Sequence, residues 1–385
     1  MRQSHKNESD EFLATADSTS FSEDDSQNTT TEQGQDPSHL QILRQMGTII
    51  DLESWHLTKT VLSWFVTGVV AFSLFALGYV ALRQPYVELP SAGEEIVFYS
   101  DHTRDHLSHV MLSAIKRAKK NIYIEIYSMT DSKVLKLLSE KAKAGVTISI
   151  LTDRHYIAQT RSKLPKSVQI KASSTKGLMH RKIVILDDAW VWLGSANFTW
   201  QSLNMYHNLL MGVHSPVLAS FLTDPSAPQE GRILVSGQHL DLWNLPHSHS
   251  GVEAMIEAID NARSIIQVAM FTWTRTDLVE ALVRAKRRGV TIEVILDRKA
   301  SLGASKNIYE TLLAKKIPTQ LSAGAQLMHH KCLLIDEKEF FFGSVNWTEG
   351  GFNNNRDILL RLPLLTTTQE EKLKAMWKQL WNDSI

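Results

Sequence analysis

The chain repeats one pattern of apolar and polar positions over most of its length. After about residue 95, each copy reads as a helix, a strand, a helix, a strand, a loop and one further strand. The second helix of each copy ends at a glycine, Gly145 or Gly289, and a short apolar strand follows. Alternating elements of this kind favour a sheet covered by helices on both faces. The pattern therefore predicts an α/β fold made of two like halves, residues 95–225 and 248–385.

The segment between the halves and the end of the chain follow different patterns. Residues 215–250 contain four prolines and two glycines, which predicts a connection with a short strand near Ile233. The last segment predicts an amphipathic helix, with Thr368 and Glu371 as its capping box. We expect the apolar stripe of this helix to dock onto the body; the stripe consists of Leu373, Met376, Trp377, Leu380 and Trp381.

A long apolar run precedes both halves. Residues 61–82 carry no charged side chain and are bounded by Lys59 and Arg83. A helix of this length spans about 33 Å, which is enough to cross the hydrocarbon core of a bilayer. The run begins some sixty residues into the chain, which disfavours a cleavable signal peptide. The sequence thus predicts one transmembrane helix over residues 60–83.

The charge distribution is uneven, although the net charge is zero. Residues 1–59 contain four Lys/Arg and eleven Asp/Glu among many polar residues, so we expect a disordered acidic tail. The rest of the chain is correspondingly basic, which suits anionic phosphates without requiring nucleic acid. Arg44 and Lys59 before the apolar run outnumber Arg83 after it. This difference favours a cytoplasmic amino terminus and a body on the non-cytoplasmic side of the membrane.

A doubled motif carries the candidate chemistry. Each copy reads H-x-K, four mostly apolar residues, D, six residues, then G-S-x-N. On a strand, side chains two apart share a face, so the His and Lys of each copy point together, whereas the Asp has the opposite parity and is expected to support the backbone. The Ser and Asn follow a glycine, in a loop suited to hydrogen bonding. The residues are His180, Lys182, Asp187, Ser195 and Asn197 in the first copy, and His329, Lys331, Asp336, Ser344 and Asn346 in the second.

These residue types fit a phosphodiester if the two copies meet at a pseudo-twofold axis. The two Lys and two Asn side chains can stabilise the charge that builds on the non-bridging oxygens. One imidazole can attack phosphorus, while the second donates a proton to the leaving oxygen and later takes one from water. The sequence contains no H-E-x-x-H motif, no cysteine pair and no Asp-rich calcium loop. We therefore expect neither a metal nor another cofactor.

The doubled motif resembles that of the phospholipase D superfamily, usually called HKD. The resemblance spans nearly all of the chain after residue 95, and the G-S-x-N-[FW]-T ending is most similar to the compact bacterial endonuclease and mitochondrial cardiolipin hydrolase branch. It implies an α/β/α sandwich of two like halves that form one site within a monomer. It also implies a phosphohistidine intermediate, with His180 as nucleophile and His329 as acid.

One departure from the family pattern leaves the order of the two histidines open. The family places a carboxylate downstream to orient each catalytic imidazole. Here Asp357 lies as far beyond His329 as Asn208 lies beyond His180. A carboxylate stabilises an imidazolium better than an amide does. If each copy orients its own histidine, the spacing therefore favours His329 as the nucleophile instead.

The substrate follows less directly from the residues. A phospholipid is the first choice, because the predicted anchor holds the pocket near a bilayer and raises the effective substrate concentration. A nuclease is the second reading, supported by the compact motif and the basic body. Phosphatidyl transfer to an alcohol, as in cardiolipin synthesis, would use the same intermediate and ranks third. A phosphate-binding module without turnover is also conceivable, but both motifs are intact, so we expect a phosphodiesterase.

Overall fold

The computed structural model describes residues 52–82, 87–248 and 250–385. The chain divides into two compact units, residues 1–84 and 85–385. The first contains helix α1 (Leu52–Leu82), within which Lys59–Gly78 is long and apolar enough to cross a membrane, by length and composition. Most of the predicted disordered tail lies outside the described residues. Its last residues, from Leu52 onward, are helical instead, because a helix propagates readily into a neighbouring segment without Gly or Pro.

The body consists of helices around two β-sheets. The longer helices of the body have one apolar face, as the sequence pattern predicts. A single 3-10 turn, Asp101–Thr103, follows the first strand. The helices are α2 (Leu107–Arg117), α3 (Ser132–Lys143), α4 (Ile157–Ser162), α5 (Trp200–Asn204), α6 (Pro216–Thr223), α7 (Ser250–Asn261), α8 (Thr276–Arg287), α9 (Arg298–Leu302), α10 (Lys306–Ala314), α11 (Glu349–Asn353) and α12 (Thr367–Asn382).

The strands form one sheet in each half. In the described part of the chain, the first sheet has the order β1-β7-β6-β5-β2-β3-β4 and the second has the order β12-β11-β10-β13-β14-β15-β9-β8. The first sheet comprises β1 (Val97–Ser100), β2 (Asn121–Ile126), β3 (Thr147–Thr152), β4 (Gln169–Ala172), β5 (Lys182–Leu186), β6 (Trp190–Gly194) and β7 (Leu209–His214). The second comprises β8 (Glu230–Val235), β9 (Gln238–Asn244), β10 (Ile265–Met270), β11 (Thr291–Leu296), β12 (Thr319–Leu321), β13 (Lys331–Ile335), β14 (Glu339–Gly343) and β15 (Ile358–Leu362).

The two sheets pack face to face and carry helices on their outer faces. Phe98 from the first sheet contacts Phe340 and Phe342 from the second edge to face, with ring centroids 5.4 and 5.2 Å apart. The outer face of each sheet forms a separate core with its own helices. The predicted α/β class with two like halves is confirmed. Because each half keeps its own sheet, the layers run helix, sheet, sheet, helix.

The second half begins earlier along the chain than the predicted residue 248. Strand β9 pairs with β15, as β1 pairs with β7 in the first half. It therefore belongs to the second repeat, and β8 extends that sheet by pairing with β9. The Pro- and Gly-rich composition indicated a connection but concealed the place of β9 in the second sheet, because its partner β15 lies more than a hundred residues away.

The terminal helix α12 docks onto the body, as predicted. Leu373, Met376, Trp377 and Leu380 are buried in the core between the sheets. The capping box, however, uses Thr366 and Gln369 rather than Thr368 and Glu371. Both pairs have suitable spacing, and the earlier pair is selected because the Gln369 amide also donates to the carbonyl of Ile96 (2.9 Å).

The motif aspartates hold hairpin turns at the far ends of the central strands. Asp187 follows β5 directly and accepts hydrogen bonds from the backbone N–H groups of Lys119, Lys120 and Asn121. Asp336 follows β13 and accepts hydrogen bonds from the backbone N–H groups of Arg263, Ser264 and Ile265, where β10 begins. Both have positive φ, 53° and 52°, which Asp tolerates better than most residues. Their role is to fix the turn and the neighbouring strand.

We predict that Asp187→Ala lowers the free energy of unfolding by about 1–2 kcal/mol, since three N–H groups lose a charged acceptor but two of them can bind water. Glu140→Ala is the matched control: it removes an exposed carboxylate from an i,i+4 pair with Lys136, and we expect a change below about 0.5 kcal/mol. Denaturant unfolding followed by tryptophan fluorescence measures both. Equal effects of the two changes would contradict the assigned role of Asp187.

Candidate active site

The motif histidines lie just before the central strands β5 and β13, in loops that contact the opposite half. The backbone N–H of His180 donates to the carbonyl of Arg356 (2.8 Å), in the second half. The backbone N–H of His329 donates to the carbonyl of His207 (2.8 Å), in the first half. Both histidines are 7% exposed. Each lies close enough to the other motif's lysine for the charge of that lysine to lower its pKa. The two halves therefore build one site.

The side-chain partners of the two histidines are exchanged between the halves. His180 Nδ1 lies 2.8 Å from Asp357 Oδ1, and His329 Nδ1 lies 3.0 Å from Asn208 Oδ1. Each copy therefore does not orient its own histidine, so the condition under which the spacing favoured His329 as the nucleophile is not met. Spacing along the chain could not reveal this exchange, because the pseudo-twofold relation brings the start of β15 to the first motif and the start of β7 to the second.

Glycines place the motif serines beside these orienting groups. A Cβ atom at Gly194 would lie 2.1 Å from the carbonyl oxygen of Leu209, and one at Gly343 would lie 2.2 Å from that of Ile358. Only glycine allows so close an approach of the strands. Ser195 then donates to Asn208 Oδ1 (2.8 Å), and in the second half Ser344 donates to Asp357 Oδ1 (2.6 Å).

The hydrogen bonds of Asn208 define which nitrogen of His329 carries a proton. The Asn208 amide nitrogen donates to the carbonyl of Ser202 (2.8 Å), so its oxygen faces His329 as an acceptor. The Nδ1 atom of His329 must then be the donor, which leaves Nε2 for proton exchange. Burial, followed by the charges of Lys331 and Lys182, lowers the pKa of His329 well below its ordinary value.

The electrostatics around His180 are different, because its partner is a carboxylate. Burial raises the pKa of Asp357, but the charge of His180 and the hydrogen bond with it outweigh burial, so the net shift is downward. Burial lowers the pKa of His180, while Asp357 acts in the opposite direction. The pair is thus a buried imidazole with Nδ1–H held by a carboxylate, which leaves Nε2 as the reactive nitrogen.

The two motif lysines are buried beside the histidines. Each Nζ donates to the carbonyl of its own motif histidine, at 2.8 Å for Lys331. Lys182 lies over the ring of Tyr127 and Lys331 over that of Phe271, with Nζ 5.7 and 4.8 Å from the ring centroids. Burial lowers the pKa of Lys182 to about 7 and that of Lys331 well below its ordinary value. A bound anion would restore the charged form of both ammonium groups.

The motif asparagines retain hydrogen-bonding capacity. Within the described residues, the side-chain oxygens of Asn197 and Asn346 are buried without a hydrogen-bond partner. A buried amide in this state is costly unless a ligand or water satisfies it. These oxygens accept hydrogen bonds, and the NH2 group of each amide is the donor that suits an oxygen of a phosphoryl group. The structure brings together the predicted His and Lys residues, Ser195, Ser344 and Asp357, and it places Asp187 and Asp336 at the opposite ends of the strands.

The motif search missed an ion-pair network behind His180. Glu125 is fully buried and binds Arg181 (3.2 Å) and Arg356 (2.7 Å). Arg181 also donates to the backbone carbonyl of Asp357 (3.1 Å). A glutamate within the apolar strand Asn121–Ile126 and an arginine inside the motif were the available signals, since buried charges require partners.

Two further aspartates anchor the loops that carry the histidines. Asp153 accepts a hydrogen bond from the N–H of Met179 (2.8 Å), and Asp297 accepts one from the N–H of Met328 (3.0 Å). Both follow the second parallel strand of their half and precede an arginine. Both belong to an Asp-Arg pair that is repeated at matched positions. The repeat indicates duplication, and it could also have indicated a shared structural role for the two aspartates.

Comparison with known proteins places these features in a family. The family model described as "Cardiolipin synthase, PLD-like domain" matches residues 111–224 and 255–381. Mouse mitochondrial cardiolipin hydrolase is 31% identical over 125 residues, which cover 30% of this chain and 52% of that protein. Phospholipase D from Rickettsia prowazekii is 34% identical over 93 residues, which cover 23% of this chain and 45% of that protein. The chain thus spans about half the length of these curated relatives.

A solved structure extends the similarity to the whole body. The phosphatidylserine synthase of Haemophilus influenzae superposes with a TM-score of 0.59 over 77% of this chain and 88% of that one, at 13% identity. At that identity, the likeness concerns the fold alone. The family model, in contrast, covers both halves and both motifs. This chain therefore belongs to the phospholipase D superfamily.

Proposed function

We propose that this protein is a membrane-anchored phosphodiesterase that hydrolyses phospholipids through a phosphohistidine on His180. The observation that carries the proposal is the exchanged pairing of the two motif histidines. His180 has a buried carboxylate as its partner, and His329 has an amide. The two imidazoles thus differ in a way that suits a nucleophile and an acid, which supports the order that the family resemblance implies.

In the first step, His180 Nε2 attacks the phosphorus atom of the diester. The bond between phosphorus and the leaving oxygen breaks, and His329 donates its Nε2 proton to that oxygen. The hydrogen bond from Nδ1 to Asp357 holds the ring of His180 and stabilises the positive charge that develops on it. The negative charge of the bound diester favours protonation of His329 before the attack.

In the second step, a water molecule attacks the phosphohistidine. His329 now accepts a proton from this water, the bond between phosphorus and His180 Nε2 breaks, and a phosphomonoester leaves. Lys182 and Lys331, together with Asn197 and Asn346, bind the non-bridging oxygens in both steps. An alcohol in place of water would give transfer instead of hydrolysis. The two activities therefore differ only in the molecule that attacks the phosphohistidine.

Three observations support a lipid as substrate. Helix α1 is long and apolar enough to hold the enzyme at a bilayer. The loop between Asn197 and Asn208 exposes Trp200 (54%) and Met205 (40%), which could contact acyl chains near the site. Similar proteins carry the names mitochondrial cardiolipin hydrolase and phospholipase D. We further propose that the body lies on the non-cytoplasmic side, because the charges that flank the apolar run favour this orientation.

A nuclease is the second candidate, favoured by the basic charge of the body. An exposed tryptophan such as Trp200 can stack on a base as well as contact a lipid. The two candidates share the catalytic steps and differ in what lies around the diester. Direct comparison of substrates therefore decides between them.

We predict that the full-length protein in EDTA cleaves labelled phosphatidylcholine or cardiolipin and leaves single-stranded DNA intact. His180→Ala is the control for contaminating activity, because it removes the nucleophile. Product analysis by mass spectrometry, with and without added glycerol, separates hydrolysis from transfer. Cleavage of DNA but of neither lipid would reject the lipid proposal, and cleavage of none of them would favour a binding module.

We predict that His180→Ala and His329→Ala each abolish turnover of a natural lipid, and that an aryl ester distinguishes their roles. A phosphatidyl ester of p-nitrophenol has a leaving group that needs no proton. His329→Ala should therefore release about one equivalent of nitrophenol and stop, with the phosphatidyl group on His180, since loss of the acid-base group slows hydrolysis by roughly 10²–10⁴-fold. His180→Ala should release none.

The exposed His239→Ala serves as control and should retain full turnover. Burst kinetics and mass spectrometry of the labelled peptide give the readout. An adduct on His329 in the His180→Ala protein would reverse the assigned order, and substantial lipid turnover by either single variant would remove the two-histidine mechanism.

We predict that Asn208→Asp moves the basic limb of the pH–kcat profile to higher pH. A carboxylate beside His329 stabilises the imidazolium and raises its pKa. Because the acid must be protonated, activity is then lost at a higher pH than in the unchanged protein. Asn204→Asp adds the same charge to an exposed position of the same segment and should leave the profile unchanged. A shift of equal size in both variants would show a general charge effect.

A further inference from the structure

The two sides of the active site differ in the residues that surround the orienting groups. Arg181 and His330 each follow their motif histidine, and Arg356 and His207 each precede their orienting residue. Around His180 the two arginines bind Glu125. On the other side, Ala269 holds the position that corresponds to Glu125. Glu125 pairs with Ile183 and Ala269 pairs with Cys332, and each of these partners directly follows its motif lysine. The carboxylate there comes instead from Asp101, in the turn after β1.

The result is a cluster of three histidines and one aspartate that joins the two halves. Asp101 and His102 belong to the 3-10 turn of the first half, and His330 to the motif of the second. His207 donates from Nδ1 to Asp101 Oδ2, and its ring packs against that of His102 with centroids 4.3 Å apart. His330 Nε2 lies 3.4 Å from His102 Nδ1.

The distances in this cluster fit the coordination of a small divalent ion. One ligand atom each from Asp101, His102 and His330 lie within 4.8 Å of one another. Two of the separations are short: 3.4 Å between the imidazole nitrogens and 3.7 Å from His102 Nδ1 to Asp101 Oδ1. Zinc bound to nitrogen and oxygen at about 2.0–2.1 Å in tetrahedral geometry requires ligand atoms about 3.3 Å apart. Small movements of the side chains would complete such a site.

The two buried rings share one long hydrogen bond, the 3.4 Å contact between His330 Nε2 and His102 Nδ1. The His102 side chain is 2% exposed, and His330 is fully buried. Among the described residues, His102 Nε2 and His330 Nδ1, the nitrogens on the other side of each ring from the proposed ligand atoms, are buried without a hydrogen-bond partner. Burial lowers the pKa of His102 to about 4 and that of His330 well below its ordinary value. A neutral imidazole is the form of histidine that binds metal.

From this geometry, we propose that Asp101, His102 and His330 bind a divalent transition-metal ion of the zinc class. Two imidazoles and one carboxylate are a ligand set that suits zinc. His207 orients the carboxylate of Asp101 through its Nδ1–H, as residues around a metal site commonly do. The site is separate from the proposed catalytic residues, and no step of the hydrolysis passes through it.

Access and position indicate what the ion would do. Asp101 is 32% exposed and lines a surface cleft of about 360 Å³, together with Asp105 and Tyr206, so an ion can reach it from solvent. The site links the turn after β1 to the loop that carries His329. Asp101 Oδ1 also accepts the backbone N–H of Asn208 (3.3 Å). By binding residues of both halves next to His329, the ion would stabilise the folded protein.

The test is zinc binding by the full-length, untagged protein in detergent, after treatment with chelator and removal of the chelator. We expect a calorimetric titration with zinc to show a tight equivalent and the melting temperature to rise by several degrees. His102→Gln and Asp101→Asn should each lose this equivalent and the thermal shift. His239→Gln, which changes an exposed histidine on β9, should keep both.

A second comparison separates this site from the catalytic pocket and from the histidines near the amino terminus. His180→Ala should bind zinc as the unchanged protein does. Loss of the equivalent in His180→Ala would place the ion in the catalytic pocket and overturn the proposal. Retention of the equivalent and of the thermal shift in both His102→Gln and Asp101→Asn, or the lack of a tight equivalent in the unchanged protein, would overturn it as well. None of these outcomes depends on which phosphodiester the enzyme cleaves.

Discussion

Each motif histidine depends on a residue from the opposite half of the molecule. Asp357 reaches His180, Asn208 reaches His329, and the backbone of each histidine is bonded to the segment that precedes the other half's orienting residue. These contacts are buried, so breaking them would leave polar groups unsatisfied in the core. The site therefore exists only where the two sheets are packed together, and fusion of both halves in one chain makes that packing intramolecular.

The duplication is exact in the motif and unequal around it. Asp357 and Asn208 hold equivalent positions, but only the first is charged. The Glu125–Arg181–Arg356 network beside His180 corresponds to the Asp101–His102–His207–His330 cluster beside His329. A charged partner favours an imidazole that must become positive during the reaction, whereas an amide leaves the second imidazole freer to lose its proton. A single chain can maintain such differences, because each half is encoded separately.

Burial of the cationic groups gives the site a strong preference for anions. Lys182 and Lys331 are 2% and 4% exposed, and burial lowers the pKa of both. A phosphodiester that enters the pocket replaces the lost solvation and is met by two ammonium groups and the NH2 groups of two asparagines. This arrangement selects the phosphoryl group and says little about what is attached to it. Discrimination between a lipid and a nucleic acid must therefore come from residues outside this set.

The sequence alone determined the α/β class, the duplication, the apolar helix and the motif residues that meet in the site, because these follow from short-range periodicity and from spacing repeated twice. The opposite parity of Asp187 and Asp336 also indicated their role in the backbone. Tertiary structure decided the pairing of Asp357 with His180, the place of β9 in the second sheet, the choice of Thr366 as helix cap, and the burial of Glu125 against two arginines. Each of these rests on contacts between residues far apart along the chain, and such contacts leave no periodic trace in a single sequence.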